Sequence, residues 1–168
     1  MTALVPPSTE YQTSFVAALR EFNAEDRNLD LDPDRLSDRG AFGAYVDALH
    51  AAAREETPRP EGWVPATTLW AVDGQEYVGT VQIRHSLTET LRTVGGHIGY
   101  EVRPSARRRG HATRMLALSL PYAQALGIDP ALVTCDNTNV ASRKVIEASG
   151  GRRDTPIGIK LRYWVPTT

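Results

Sequence analysis

The chain has 168 residues, of which 41% are hydrophobic and 23% are charged, and its formal net charge is −1. This length and composition exclude a disordered or fibrous protein, and we predict a single domain over residues 1–168. No apolar run approaches the roughly 20 residues that span a bilayer, so no membrane partner is expected. Because the amino-terminal segment lacks a basic region followed by an apolar core and Cys135 is the only cysteine, we expect a cytoplasmic protein without disulfides.

Charge is unevenly distributed along the chain. Residues 1–60 contain 11 acidic residues and 6 arginines, whereas residues 101–153 contain 9 basic residues and 4 acidic ones. Modules that bind duplex nucleic acid are usually basic overall. A local basic region in a slightly acidic chain therefore favours a small anionic ligand, and no nucleic-acid partner is predicted.

The amino-terminal third is predicted to hold a short strand, residues 2–5, and two helices. Ser8 is a suitable N-cap for the first helix, because apolar residues follow it at helical spacing, namely Tyr11, Phe15, Leu19 and Phe22. The acidic segment 23–36 is predicted to be a loop. Ser37 then caps the second helix, whose apolar face consists of Phe42, Tyr45, Val46, Leu49 and Ala53.

Strands dominate the middle of the chain. Residues 67–86 form two β-rich runs that meet at Asp73-Gly74, a strong hairpin signal. A longer connection, residues 87–96, leads to a strand over residues 97–103 that Pro104 ends.

The last third alternates between helices and strands. A helix is predicted from Arg109 to near Gly127, and Pro121 is expected to kink it or to end it a turn early. A strand at 131–135, a helix at 139–151 and a strand at 157–165 follow. This order predicts an α/β (α+β) domain, with a mixed, mostly antiparallel sheet of six to seven strands and helices on both faces.

Three consecutive arginines precede a glycine at the start of the helix near residue 109. The first N–H groups of a helix have no partner within the helix, and the positive end of the helix dipole lies there, so such a loop can bind phosphate. Gly110 and Ala112 would allow a pyrophosphate to approach the main chain. Taken alone, the same arginines also fit a solvated surface patch.

Two motifs resemble the GNAT superfamily of acyl-coenzyme A N-acetyltransferases. The strand and loop "GGHIGYEVRPSARRRGHAT" carry the first signature at Arg107, Gly110 and Ala112. The later segment "CDNTNVASRKVIEASGG" carries the second, which consists of Asn139, Ala141, Ser142, Glu147 and Gly150. The chain looks most like an uncharacterised bacterial branch of predicted acetyltransferases.

The resemblance implies an acetyl-coenzyme A (acetyl-CoA) site. The pyrophosphate is expected on the loop and helix start, and the pantetheine arm is expected beside the preceding strand. A bulge in that strand would open the slot for the thioester, and the N–H of Val102 would polarise its carbonyl group. The expected cofactor-binding residues are Tyr100, Glu101, Val102, Arg107, Arg108, Arg109, Gly110, His111, Ala112, Thr113, Asn139 and Ser142.

The catalytic residues are less evident. Many family members carry a tyrosine acid where this chain has Ile146, and the acetylases of protein N-termini carry a glutamate where it has Thr134. Strand alternation places Tyr100 on the face expected for catalysis, and His97 and Glu101 join it if a bulge changes the parity. These three residues are the catalytic candidates, and His85 is a further one.

Other residues have simpler interpretations. The histidines have no zinc-ligand spacing, so no metal site is predicted, and Cys135 is interpreted as a small buried group. Asp136 and Asn137 end a strand where the acceptor is expected. Trp63, Trp70 and Tyr45 either line the acceptor pocket or fill the core.

Four functions are weighed at this point. The first is acetyl transfer from acetyl-CoA to a primary amine of a small molecule, and the acidic N-terminal helices suggest a cationic amine, such as a polyamine, an amino sugar or an amino-acid-like acceptor. The second is a protein or peptide acceptor. The third is a non-catalytic acyl-CoA-binding module. The fourth is nucleic-acid binding by the arginine loop, which the charge distribution does not favour. Because GNAT proteins are often dimers, the terminal segment "LRYWV" is a candidate homodimer interface.

Overall fold

Seven strands and six α-helices make up the computed structural model, which describes residues 1–168. The strands are β1 (Ala3–Val5), β2 (Ala66–Asp73), β3 (Glu76–Arg84), β4 (Ile98–Val102), β5 (Ala131–Asp136), β6 (Arg152–Arg153) and β7 (Lys160–Val165). The helices are α1 (Gln12–Ala24), α2 (Pro33–Leu36), α3 (Arg39–Ala51), α4 (Glu89–Thr93), α5 (His111–Ala125) and α6 (Val140–Ala148). None of these helices is both long and apolar enough to span a membrane.

The strands form two antiparallel sheets, ordered β1-β2-β3-β4 and β5-β7-β6. The predicted fold class is confirmed, with the seven strands divided between two sheets. The terminal strand β7 lies in the middle of its sheet, and Leu161, Tyr163 and Val165 are buried in the core. The segment proposed as a dimer interface is therefore mainly an internal strand.

Apolar side chains cover both faces of the larger sheet. On one face, Phe15 of α1 stacks on Trp70 of β2 with ring centroids 4.9 Å apart, and Phe42 of α3 completes the cluster. On the other face, Met115 and Leu116 of α5 are fully buried against strand residues. Burying each side chain of this size contributes about 1.5–3 kcal/mol. These two clusters place helices on both sides of the strands, as the periodicity predicts.

Helix caps explain where the N-terminal helices differ from expectation. Ser8 caps a single 3-10 turn that precedes α1. Asp38, not Ser37, caps α3, because its carboxylate accepts the N–H of Ala41 at 2.9 Å. Asp32 caps the one-turn helix α2 within the segment predicted to be a loop. The prediction of a plain loop is wrong there, because Asp32 followed by Pro33 is itself a helix start.

The remaining elements follow the prediction closely. The hairpin turn at Asp73-Gly74 joins β2 to β3, with Gly74 at a φ of 61°. Helix α5 continues through Pro121 to Ala125, so the proline does not end it early. The connection before β4 contains the short helix α4, which Thr88 caps.

A close approach at one end of β4 joins the two sheets. The N–H of His97 donates to the carbonyl oxygen of Leu132 at 2.7 Å, and the N–H of Leu132 donates to Nδ1 of His97 at 2.9 Å. A Cβ atom at Gly96 would collide with the same Leu132 carbonyl oxygen, so only glycine permits this approach. No strand pairing joins β4 to β5 beyond this point. The two sheets therefore meet at one end and separate along β4.

Candidate active site

A slot lies between β4 and β5 where the sheets separate. Its cavity has a volume of about 270 Å³. The residues that line it are Arg84, Gly95, Ile98, Gly99, Tyr100, Thr134, Cys135, Asp136, Asn139, Ser142 and Lys160. The slot thus brings Tyr100 of β4 together with Asn139 and Ser142, which lie at the start of α6, as the sequence motifs predict.

The backbone of β4 offers hydrogen-bonding groups to this slot. Arg84 donates its N–H to the His97 carbonyl, and Arg103 donates its N–H to the Val78 carbonyl. In an antiparallel pair the bonded residues alternate. The backbone N–H and C=O groups of residues 97, 99, 101 and 103 therefore point toward β3. Those of Tyr100 and Val102 point toward the slot.

The expected bulge in β4 is absent. The pairing with β3 runs without a register shift from Gly79–Val102 to Ile83–Ile98, and the shift in this sheet lies between Ala71 and Val72 of β2. Separation of the two sheets, not a bulge, opens the slot.

Six consecutive N–H groups are free at the start of α5. The amide of Arg107 donates to the Pro104 carbonyl, and the next donor along the chain is Arg114, which bonds the Gly110 carbonyl at 3.1 Å. The amides of residues 108–113 donate to no protein atom. Gly110 has a φ of 80°, and a Cβ atom there would meet nothing within 4 Å. This open row of donors fits a pyrophosphate.

The three arginines of this loop have different roles. Arg107 makes a bidentate ion pair with Glu25 of α1, at 2.8 and 2.9 Å, and this contact lowers the pKa of the Glu25 carboxyl. The exposed side chains of Arg108 and Arg109 have no hydrogen-bond acceptor in the protein. Arg109 also lines a cavity of about 480 Å³ at the helix start, together with His111 and Arg114. Two of the arginines are therefore available to an anion, and the third attaches the loop to α1.

His111 is held beside this row of donors by a side-chain contact. Its Nδ1 lies 2.7 Å from Oγ1 of Thr2. The residue that precedes β1 thus supports the first turn of α5.

Tyr100 projects from β4 toward α6. Its hydroxyl group lies 2.7 Å from Oγ of Ser142. Burial raises the pKa of Tyr100 to about 12, although the Ser142 contact opposes part of this shift. Asn139 caps α6, since its Oδ1 accepts the N–H of Ser142 at 3.0 Å. At neutral pH the Tyr100 hydroxyl is protonated and can act as a proton donor.

Glu101 faces the opposite side of β4. Its carboxylate accepts hydrogen bonds at 3.0 Å from Arg27 and from Asn28, which follow α1. It lines a second cavity of about 370 Å³. The other lining residues are Arg27, Tyr45, Leu49, Thr68, Trp70, Thr80, Gln82, Arg84, Gly99 and Tyr100. Tyr45 and Trp70 therefore line a cavity, and Trp70 is buried in the core as well.

His97 and His85 line neither of these cavities. Nδ1 of His97 accepts the Leu132 N–H, and burial followed by the positive charge of Arg92 lowers the pKa of His97. Nε2 of His85 contacts Oγ1 of Thr67 at 2.7 Å, and burial lowers the pKa of His85. Both imidazoles make structural contacts, so we do not retain His97 as a catalytic candidate.

Several residues considered from the sequence have structural partners. Ile146 is fully buried, and Oγ1 of Thr134 accepts the N–H of Gly95 at 3.0 Å. Cys135 is buried, and this burial raises the pKa of its thiol. Asp136 forms an ion pair with Lys160. None of these side chains is available as an obvious base.

Sequence analysis missed Arg84. Three polar side chains alternate along β3 with buried apolar ones, namely Thr80, Gln82 and Arg84. They therefore share one face of the strand, beside the cavity that Glu101 lines. The alternation of polar and apolar residues at the end of this strand could have indicated a polar face that includes Arg84.

A divided sheet with a slot, and a row of free amides at a helix start, fit an acyl-coenzyme A-dependent acyltransferase. Residues 15–152 match the family model described as an acetyltransferase (GNAT) domain. The chain belongs to the GNAT acetyltransferase family. It is accordingly an N-acetyltransferase that depends on acetyl-CoA.

Solved structures share this fold. RimJ of Mycobacterium smegmatis in complex with CoA-disulfide has a TM-score of 0.68 at 20% identity, over 98% of this chain and 81% of that one. A ribosomal-protein-S5-alanine acetyltransferase from Vibrio fischeri has a TM-score of 0.69 at 12% identity, over 99% and 93% of the two chains. The Microcin C7 self-immunity acetyltransferase MccE, in complex with acetyl-CoA and AMP, has a TM-score of 0.65 at 13% identity, over 96% and 90%. No curated protein matches the sequence.

Proposed function

We propose that the enzyme transfers an acetyl group from acetyl-CoA to a primary amine of a small molecule. One observation carries this proposal. The slot and the cavity lined by Glu101 (the Glu101 cavity) share Arg84, Gly99 and Tyr100. A thioester in the slot is therefore adjacent to an acceptor in the Glu101 cavity. A cavity of about 370 Å³ is in the range of small-molecule sites.

The residues that surround the slot are suited to the cofactor. The free amides of residues 108–113, with Arg108 and Arg109, hold the pyrophosphate. The backbone groups of Tyr100 and Val102 pair with the pantetheine amides in the manner of an added strand. Asn139 and Ser142 line the opposite wall. Acetyl-CoA supplies the activated thioester when it is bound.

Two neighbouring residues divide the proton chemistry. The amine attacks the thioester carbonyl in its neutral form, and the N–H of Val102 stabilises the developing oxyanion. Glu101 orients the amine and accepts its proton, directly or through water. The Tyr100 hydroxyl donates a proton to the leaving thiolate.

A protein or peptide acceptor is the second candidate. It is favoured by the solved structures, because the Vibrio fischeri protein is described as a ribosomal-protein-S5-alanine acetyltransferase. The volume of the Glu101 cavity, about 370 Å³, favours a small acceptor over an extended chain.

Thermal unfolding with acetyl-CoA tests the cofactor site. A ligand at 100 times its dissociation constant stabilises the folded state by about 2.7 kcal/mol. Gly110→Asp places a negative charge among the free amides, and we expect it to abolish this shift. Gly110→Ala is the matched control, because it carries the same backbone strain without the charge and should retain much of the shift. An equal shift in all three proteins would contradict the assignment.

Amide exchange provides an independent readout of the same site. Acetyl-CoA should slow the exchange of Tyr100 and Val102, whose N–H groups face the slot. The amides of Gly99 and Glu101 already bond to β3 and should change less. Thiol release with a panel of primary amines then tests turnover, and the absence of release with every small amine would favour the protein acceptor.

A further inference from the structure

Arg84 carries a half-buried positive charge that has no carboxylate partner. Its Nη1 donates to the carbonyl oxygens of Gly95 at 2.9 Å and Gly96 at 3.3 Å, and its other guanidinium nitrogens have no acceptor in the protein. Burial lowers the pKa of Arg84, and no acidic group offsets this effect. Buried charges are normally paired. The unpaired part of this guanidinium is therefore suited to an anion supplied from outside the chain.

The guanidinium lies where three cavities meet. Arg84 lines the slot, the Glu101 cavity and a third cavity of about 440 Å³. A Cβ atom at Gly99 would lie 3.5 and 3.6 Å from its two terminal nitrogens. The missing side chain at Gly99 leaves this part of β4 open to a ligand.

Glu101, which also pairs with Arg27 at 3.0 Å, provides a carboxylate on the same face of β4. Positions 99 and 101 share a face, and two strand residues span about 7 Å. The guanidinium next to Gly99 and the backbone position of Glu101 are therefore about that distance apart along the strand. This spacing fits a molecule that carries an ammonium group and a carboxylate group on the same carbon atom, with one hydrogen bond at each end.

The third cavity provides room for a side chain. It is lined by Trp63, Val64, Ala66 and Leu91, along with polar residues, and it shares Gln82 and Arg84 with the Glu101 cavity. Trp63 is 71% exposed. An apolar or aromatic group placed there would cover this indole.

We propose that the acceptor is an α-amino acid, whose carboxylate pairs with Arg84 while its amino group lies at Glu101. Its side chain extends toward Trp63. The inference rests on the proposed transfer to a small amine, and it narrows the polyamine, amino-sugar or amino-acid-like acceptors that the acidic N-terminal helices suggest to the last of these classes. Glu21 and Glu25 of α1 bind loop arginines instead of facing the cavity.

The test compares the common L-amino acids with their carboxamides, which retain the amine but lose the negative charge. In the wild type, kcat/KM from thiol release should be at least about 30-fold higher for the best acid than for its amide, as expected for an anion paired with a partly buried guanidinium. Arg84→Gln should reduce this ratio to near one. Arg84→Lys retains the charge without the planar fork and should give an intermediate ratio. Arg35→Gln, at an exposed position on α2, is the control and should leave the ratio unchanged.

Binding measurements separate this inference from the proposed function. Calorimetric titration of the same amino acids into the CoA-bound protein should show binding in the wild type and its loss in Arg84→Gln, with the acetyl-CoA thermal shift preserved. Equal use of acid and amide by the wild type would overturn the amino-acid assignment and leave small-amine transfer intact. Absence of amino-acid binding would likewise overturn it. A failure of every amine, with acetyl-CoA still bound, would instead overturn the proposed function.

Discussion

Tyr100 and Glu101 are adjacent in sequence but serve different sides of one strand. Alternation along β4 sends the Tyr100 hydroxyl to Ser142 and the Glu101 carboxylate to Arg27 and Asn28. In the proposed reaction, each side chain therefore meets a different partner. The leaving thiol would lie on the Tyr100 side, and the attacking amine would lie on the Glu101 side.

Replacing Tyr100 tests this division. Because burial keeps the Tyr100 hydroxyl protonated, with a pKa of about 12, its removal takes away a proton donor. We expect Tyr100→Phe to lower kcat about 100-fold with little change in the KM for acetyl-CoA. Ser142→Ala removes the hydrogen-bond partner but leaves the hydroxyl, so its effect on kcat should be much smaller. Full activity of Tyr100→Phe would exclude the role of proton donor.

At the scale of elements, α1 holds the cofactor loop in place. Glu21 accepts hydrogen bonds from Nε of Arg103 at 2.8 Å, from the N–H of Ser105 at 3.0 Å and from its hydroxyl at 2.9 Å. Burial raises the pKa of Glu21, but these bonds outweigh it and leave the pKa lowered. Glu25 makes its single bidentate contact with Arg107 in a more exposed position.

These two glutamates should differ in their effect on stability. Glu21→Gln weakens three hydrogen bonds and should lower the free energy of unfolding by about 1–2 kcal/mol. Glu25→Gln should change it little, because an exposed ion pair contributes little. Urea unfolding of both variants measures the difference. An equal loss of unfolding free energy would show that the greater exposure of Glu25 does not make its contact weaker.

The sequence motifs predicted the loop of free amides at the start of α5, but not the residues that the acidic side chains of α1 contact. Arg107 and Gly110 of the first signature locate the row of amides, because the start of a helix can be recognised from neighbouring residues in the sequence. The partners of Glu21 and Glu25 depend on how α1 packs against a loop about 80 residues away. Local patterns contain no information on such a contact. The family resemblance implied an opening beside β4, but the strand patterns did not predict the division into two sheets, since β4 and β5 have the same pattern whether or not they pair.

At the scale of the whole molecule, His97 and Leu132 make the hydrogen-bonded contact between β4 and β5. Nδ1 of His97 accepts a hydrogen bond, which requires this nitrogen to be unprotonated. Burial, with a contribution from Arg92, lowers the pKa of His97 in the folded state. The folded protein therefore binds fewer protons at this site than the unfolded chain just below the ordinary histidine pKa.

Stability should consequently fall on acidification. The contribution of His97 is complete above a pH of about 6.5, the value expected in the unfolded chain, and it is lost as the pH falls toward the lowered pKa of the folded state. His97→Asn offers an acceptor that does not titrate. Urea unfolding between pH 7.5 and 5 should show a larger loss of stability in the wild type than in His97→Asn, and His85 contributes equally to both. Parallel curves would contradict this assignment.

The carboxyl-terminal end of α1 and the turn after it contact both the loop of free amides and the proposed acceptor cavity. Glu25 binds the loop of free amides through Arg107, while Arg27 and Asn28 bind the carboxylate in the acceptor cavity. Exchange of α1 and the turn after it would therefore change the surroundings of both sites at once. A segment grafted from a relative to alter the acceptor would also have to restore the anchoring of the cofactor loop, which couples the choice of acceptor to the handling of the donor.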